Sequence, residues 1–272
     1  MIPKIDLKET VTIITDFIKT YKQNSGCTQI VLGLSGGLDS CVTAILCQQA
    51  LGPKQVMCLF IPDNATPELD IKHQELIVKK FKLNHLLIPL NSTVEEIQKT
   101  MNIKQQKLTL SNIKARLRMI LLYAYANEHN CLVCGTSNKS ELLVGYFTKY
   151  GDGGADIQPL GDLYKTQLFQ LAEYLSIPKE IISKPPTAGL WRGQTDEQEL
   201  QIDYTTLDTI LSGLEQRLSI QQIQSLSKAS VADITRIKTT IQNTHHKRRL
   251  PLTPKISLRT TGVDWRQPIQ KG

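Results

Sequence analysis

Gln29-Ile30-Val31-Leu32-Gly33-Leu34-Ser35-Gly36-Gly37-Leu38-Asp39-Ser40 leads into the apolar run Cys41 to Leu51. A short apolar run bounded by a glycine turn reads as a buried strand, and the run beyond the turn reads as a helix. Glycines let the backbone approach an anion closely and adopt positive φ. The helix start presents unpaired N–H groups and the positive end of its dipole, so a phosphate sits well there. Ser35 and Ser40 add hydroxyls. The Lys-Ser/Thr that closes a Walker A loop is missing. In its place stands Asp39, which alone would repel a phosphate. It makes sense if Mg²⁺ lies between them, because hard oxygens and phosphates share that ion. The plainer reading is an N-cap turn using Asp39 or Ser40. That accounts for one polar residue and leaves the rest of the row unexplained.

Working outward, strand and helix patterns alternate. A helix is expected over 4–22, strands over 55–61, 85–90 and 131–134, and helices over 67–82, 94–101, 113–129 and 163–175. Arg192 to Glu199 is polar with a glycine and reads as a surface loop. Two or three helices fill 204–243. This alternation implies right-handed crossovers and a Rossmann-like, doubly wound α/β fold, its mostly parallel sheet flanked by helices. Such sheets bind ligands beyond the carboxyl ends of the strands where strand order reverses. A site is therefore expected just after the first and fourth strands.

At 272 residues with 40% apolar and 21% charged residues, the chain is an ordinary globular protein rather than a disordered or fibrous one. It is expected to form one domain: a core over about 25–190, a helical part over about 200–250 and a basic tail over 245–272. No run reaches the roughly 18 apolar residues of a membrane span. The opening Met-Ile-Pro-Lys-Ile-Asp-Leu-Lys-Glu-Thr is too charged for a secretory leader, so the expected location is cytoplasmic. Six cysteines in this length suit buried thiols. Cys131 and Cys134 lie three apart on a strand and should face opposite sides, which argues against a metal or redox pair. The net charge of +7 is uneven: residues 241–272 hold seven Lys and Arg against one Asp, or +6, leaving +1 for the rest. That segment reads as a solvated tail, a nucleic-acid patch or a clamp for an anionic small molecule.

The glycine turn resembles the pyrophosphate loop of the N-type ATP pyrophosphatases, which cleave ATP between the α and β phosphates and adenylate a carbonyl or carboxyl group. The stretch Gly145-Tyr146-Phe147-Thr148-Lys149-Tyr150-Gly151-Asp152-Gly153-Gly154-Ala155-Asp156 resembles the signature of NAD synthetases within that group. Asn112 to Met119, Leu163-Tyr164-Lys165, Pro185-Pro186-Thr187-Ala188-Gly189-Leu190-Trp191 and Thr244 to Arg248 occur in that family's order and spacing. The resemblance covers residues 30 to about 250. Leu38 and Ser137-Asn138-Lys139-Ser140 depart from many bacterial relatives, and the latter stretch together with Pro186-Thr187-Ala188-Gly189-Leu190-Trp191 looks more like a short archaeal-type branch.

The resemblance implies a ligase that makes the last bond of NAD. ATP adenylates the carboxylate of deamido-NAD with loss of pyrophosphate, and ammonia displaces AMP. It implies that Gly33, Leu34, Ser35, Gly36, Gly37, Leu38, Asp39 and Ser40 hold ATP with Thr136, Lys165 and Thr187. Asp39 and Lys165 would be catalytic, and Asp39 and Glu141 would hold Mg²⁺. Arg116, Lys149, Asp156, His246 and Lys247 would bind deamido-NAD. Taken singly, these residues have duller readings: surface charges for Arg116 and Lys149, a helix-start acid for Glu141, a turn for Asp156, an N-cap for Thr136, and an i,i+3 pair with Asp162 for Lys165. No base for ammonia stands out.

Some relatives carry a glutamine-hydrolysing domain in front of the synthetase. Only 32 residues precede Gly33 here, so free ammonia is the expected donor. The resemblance also implies a homodimer, with 4–22 and 113–129 as candidate interface helices. A tRNA-modifying enzyme of the same loop family is the rival reading. With 6% aromatics and no separate RNA-binding segment, nucleic acid is not an expected partner.

Overall fold

The computed structural model describes residues 2–260 apart from 104, 105, 188, 190 and 192. Ala188 and Leu190 of the proline motif, Arg192 of the expected surface loop, and tail residues 261–272 lie outside the described residues.

In chain order the elements are α1 (Leu7–Ser25), β1 (Gln29–Gly33), α2 (Leu38–Leu51), β2 (Val56–Phe60), α3 (Glu68–Phe81), β3 (His85–Leu87), α4 (Asn91–Thr100), α5 (Lys107–His129), β4 (Cys131–Cys134), α6 (Lys139–Val144), α7 (Lys165–Tyr174), α8 (Lys179–Ile182), α9 (Asp196–Leu200), α10 (Tyr204–Glu215), α11 (Ile220–Ser227) and α12 (Val231–Asn243). The four strands form one parallel sheet in the order β3-β2-β1-β4. Val31 pairs with Met57 on one side and Val133 on the other. Later strands are added to both sides of β1, so strand order reverses between β1 and β4. The crevice beyond their carboxyl ends is the place expected for a ligand.

Period two along β1 splits the core. Ile30 and Leu32 face one layer with Ile14 and Ile18 of α1, the apolar α2, and Leu168 and Leu171 of α7. Val31 faces the other with Leu59, Val94, Leu117 and Val133. Cys134 and Cys131 fall on opposite faces, as the strand reading required. Cys134 meets Cys47 at 3.7 Å between sulfurs, and both are free thiols. A third cluster joins α10, α11 and α12 around Leu207, Ile210, Ile223 and Ile234.

Several boundaries differ from the sequence expectation. The third strand stops at Leu87, although Ile88 N–H still donates to the Phe60 carbonyl at 2.8 Å. Pro89 follows and has no N–H for the ladder. β3 is also the exposed edge, with Leu87 54% exposed. α2 begins at Leu38 rather than Cys41, and α5 at Lys107 rather than Ile113. The stretch expected to be a surface loop instead contains α9. Thr195 caps its start by accepting from Gln198 N–H, and Asp196 is 3% exposed. Among the described residues no helix is long and apolar enough to cross a membrane.

Gly36 joins the sheet to the site. Its φ is +83°, and a Cβ there would overlap the Asp70 carbonyl at the start of α3. Gly36→Ala should therefore cost about 1 kcal/mol or more. A lower urea midpoint with a weakened response to ATP is the expected result, and an unchanged midpoint would contradict this account of the turn.

Candidate active site

The turn between β1 and α2 is braced by its own serines. Ser40 Oγ accepts from Ser35 N–H at 3.2 Å and donates to the Gly37 carbonyl at 2.9 Å, while Ser35 Oγ accepts from Gly37 N–H at 3.2 Å. The hydroxyls thus shape the loop. Gly37 is the N-cap and brings no side chain over the helix start. The N–H groups of Leu38, Asp39 and Ser40 are the first three of α2, which have no intrahelical acceptor. They carry the positive end of its dipole.

The end of β4 brings the complementary charges. Asn138 and Glu141 form a capping box at the start of α6: Glu141 N–H donates to Asn138 Oδ1 at 3.1 Å, and Asn138 N–H donates to Glu141 Oε2 at 3.3 Å. Asn138 Nδ2 then donates to Asp39 Oδ1 at 2.7 Å. The Lys165 ammonium, 3% exposed, pairs with Asp39 Oδ2 and lies 3.5 Å from Glu141 Oε1. It does not pair with Asp162, which goes to Lys139 at 3.0 Å. Burial works against the charged Lys165, but Asp39 and Glu141 outweigh it and hold its pKa above the ordinary value. Burial, and next the Asp39 charge, push Glu141 up to about 8 against the pull of Lys165. With both carboxylates ionised, one cation leaves the cluster short of positive charge.

The cluster is fixed from behind. Asp208 of α10, fully buried, accepts from Ser140 Oγ, from Thr166 N–H at 2.9 Å and from Thr166 Oγ1 at 2.8 Å. Lys165 N–H donates to Ser140 Oγ at 2.9 Å. One carboxylate therefore ties the start of α6, with Glu141, to the start of α7, with Lys165.

These groups face a cavity of about 430 Å³. Most of the expected ATP residues line it: Gly33, Leu34, Ser35, Gly37, Leu38, Asp39, Ser40, Thr136, Lys165 and Thr187, with Glu141 beside them. Gly36 lies behind the turn. Three further cations, Arg118, Lys184 and Lys247, reach the same walls. Lys184 is paired with buried Asp70.

Of the residues expected to bind deamido-NAD, Lys247 alone lines the cavity. Its ammonium donates to the carbonyls of Gly145 at 2.7 Å and Phe147 at 2.8 Å. Arg116 Nε donates to the Lys149 carbonyl at 3.3 Å, and Lys149 Nζ donates to the His246 carbonyl at 2.7 Å. They form a linked row outside the cavity walls. Asp156 accepts from Tyr123 Oη at 2.9 Å and from Val133 N–H at 2.8 Å, and is also outside.

The NAD synthase family model matches residues 10–251. The chain belongs to the NAD synthase family. It is therefore an ATP-dependent ligase that forms a C–N bond. The NH(3)-dependent NAD(+) synthetase of Methanocaldococcus jannaschii is 42% identical over 257 residues, which cover 92% of this chain and 98% of that one. The NH3-dependent NAD synthetase from Campylobacter jejuni, solved with a nitrate ion, superposes with a TM-score of 0.79 at 30% identity and covers 93% of this chain and all of that one. An NMN synthetase from Francisella tularensis superposes with a TM-score of 0.84 at 35% identity over the same shares. The tRNA-modifying alternative is not favoured by any of these.

Sequence reading of this NAD synthase missed Asn138, Asp208, Asp196, Lys184 and Asp63. Asn138 stands three residues before Glu141, a capping-box spacing that could have been seen. Asp63 was silent. It follows β2 with its side chain 2% exposed, 2.7 Å from Lys114 Nζ and 3.7 Å from Arg118 of α5. Arg118 Nε also donates to the Ile61 carbonyl at 3.0 Å, so the pair seats a cavity cation. Burial acts to raise the Asp63 carboxyl, but Lys114 and Arg118 together hold it below its usual 3.8. Ionised Asp63 therefore stabilises the fold fully above the unfolded value of 3.8, and that contribution is lost as pH falls through the lower native value. Asp63→Asn should cost about 1–3 kcal/mol at neutral pH and flatten the acid limb of a stability-against-pH curve. A parallel limb in urea titrations would exclude this role.

Proposed function

We propose that this chain catalyses the final amidation in NAD formation, converting deamido-NAD to NAD with ATP and free ammonia and releasing AMP and pyrophosphate. The observation that carries the reading is the convergence of the α2 start, Lys165 and Glu141 on one cavity, in a chain resembling proteins named as NH3-dependent synthetases. A cytosolic setting suits its six free cysteines.

The chemistry explains the charges. A carboxylate repels nucleophiles and offers no leaving group; adenylation removes its charge and supplies AMP to leave. The first-turn amides of α2 hold phosphate oxygens by direct donation. Lys165 stands against the charge that gathers on the departing pyrophosphate. Asn138 aims Asp39 into the cavity, and Asp208 keeps Lys165 and Glu141 in register. Holding both substrates in one cleft makes the transfer effectively intramolecular.

The donor set fits Mg²⁺. Asp39 and Glu141 offer hard oxygens, and Glu141 is raised first by burial and next by Asp39 beside it, a cost that a shared cation relieves. Among the described residues no third acidic, His or Cys group joins them. Asp39 and Glu141 would hold the ion, with phosphate oxygens and water completing its shell. Bound there, it would neutralise phosphate charge.

Arg116, Lys149, Asp156 and His246 are assigned to deamido-NAD beyond the cavity mouth, and Lys247 to its rim. A dinucleotide reaching that row fits a homodimer whose second copy covers it. We assign the interface to α5 and α1, which expose Ile120 (52%) and Ile13 (61%) respectively.

The purified chain, incubated with ATP, Mg²⁺ and ammonium, should form AMP and NAD from deamido-NAD. Nicotinate mononucleotide should react poorly, and faster turnover of the mononucleotide would move the assignment to the chemistry of the Francisella relative. Glutamine in place of ammonium should support little turnover. Asp39→Ala should lower kcat by about a hundredfold or more with the fold intact; a near-normal rate would remove Asp39 from the site. Light scattering should give twice the 30.5 kDa chain mass, and an active monomer would reject the dimer.

A further inference from the structure

Asp70 has no role in the assignments above, yet two parts of the ATP site meet on it. It stands in the first turn of α3, where an acid is ordinary for the helix dipole. It is nevertheless 5% exposed and lines the nucleotide cavity. Its backbone carbonyl abuts Gly36, so closely that a Cβ there would overlap it. Its carboxylate meets the proline motif. Oδ1 pairs with the Lys184 ammonium, and Oδ2 lies 3.9 Å from where a Gly189 Cβ would stand. Gly189 has a φ of +64°, and its N–H donates to Thr187 Oγ1 at 3.0 Å. The segment from Lys184 to Gly189 thus meets one carboxylate at both of its ends, with Thr187 between them. Pro185 and Pro186 fix φ within it, and the Pro186 carbonyl accepts from Asp196 N–H at 3.0 Å.

The neighbouring imidazole does not share this charge. His73 is 3% exposed, and burial and next the Lys184 charge hold its pKa below the ordinary 6.5, against Asp70 and Glu180. It is neutral at pH 7, and Lys184 is the cation that offsets Asp70. A buried ion pair adds little to stability over apolar side chains of the same volume, so stability alone gives no reason for it. What it supplies is a spacing. The carbonyl of Asp70 sits on the turn that holds phosphates, its carboxylate on the segment that presents Thr187, and only a few covalent bonds separate the two. We propose that Asp70 is a positioning residue for ATP, which sets the proline motif at a fixed distance from the phosphate turn so that both close on one nucleotide. This role rests on the assignment of the turn and Thr187 to ATP above.

Initial rates of the full-length chain are measured with ATP, deamido-NAD and ammonium varied in turn, and binding of ATP with Mg²⁺ alone is followed by calorimetry. Asp70→Asn should raise the KM and Kd for ATP about tenfold or more and move the KM values for deamido-NAD and ammonium less than twofold. That variant strands a buried ammonium and should lose stability, so Asp70→Asn/Lys184→Met serves as a second variant that removes both charges. Its urea midpoint should recover toward wild type while its ATP KM and Kd stay raised about fivefold or more, a separation that a merely structural role would not give. A smaller rise in ATP KM and Kd in the double variant would overturn the assignment, as would a midpoint that fails to recover or an equal rise in all three KM values. A wild-type chain that binds ATP and makes no NAD would instead defeat the functional reading, while the ATP Kd of the double variant would still decide for or against Asp70.

Discussion

The buried Lys165 ammonium between Asp39 and Glu141 is the constraint on which the site depends. A lone charge in that position would be costly to bury, and so would either carboxylate. Each makes the other tolerable only if the ends of β1 and β4 stay side by side. The parallel pairing of Val31 with Val133 secures this at the sheet, and Asn138 secures it at the side chains by bonding Asp39 from the start of α6. With Glu141 held up to about 8, the cluster is balanced near neutral pH, and it is one cation short whenever Glu141 ionises. That shortfall is the physical reason it suits a phosphate ligand only in company with a further positive charge. The structural demand of burial and the chemical demand of nucleotide binding thus have the same answer.

What was legible in the sequence was local. The strand, turn and helix around Gly36 occupy consecutive residues, and each has a short-range cause: apolar run, positive φ, capless helix start. The place of the site followed from topology, because alternating strands and helices oblige a parallel sheet with a reversal point. Boundaries slipped where a neighbour intervened. Pro89 ended β3 early, and the polar stretch before Leu200 became a helix because Thr195 caps it and Tyr204 Oη donates to Asp196.

What stayed illegible was long-range. Asp39 and Lys165 stand 126 residues apart, and Ser140 and Asp208 stand 68 apart. No periodicity reports such pairs. Lys165 was reached through a family resemblance, while its spacing alone favoured a pair with Asp162, which the fold gives to Lys139. Asp208 had no motif to mark it, and its burial cannot be read from a helix that is polar at that position. Asp196 was hidden for a different reason: acidic residues at a helix start are ordinary, and nothing in sequence tells a solvated one from one buried against a phenol.

The basic segment after residue 244 gains a different meaning from its contacts. Read as charge alone, it suggested a solvated tail, a nucleic-acid patch or a clamp for an anionic small molecule. In the fold, Arg248 spends its guanidinium on the carbonyls of Leu142 at 3.0 Å, Leu143 at 2.8 Å and Ile241 at 2.6 Å. Lys247 takes those of Gly145 and Phe147. These are carbonyls at or just beyond the carboxyl ends of α6 and α12, where orphan acceptors and the negative dipole end favour cations. Burial lowers the pKa of both side chains, with Asp152 opposing that shift at Lys247, as expected for charges withdrawn from water into such a seat. The first part of the basic segment is therefore a clamp on α6, the helix whose opposite end presents Glu141. A cation that closes one end of a short helix steadies the carboxylate at the other, so the C-terminal charge acts on the nucleotide site through the backbone as well as through space.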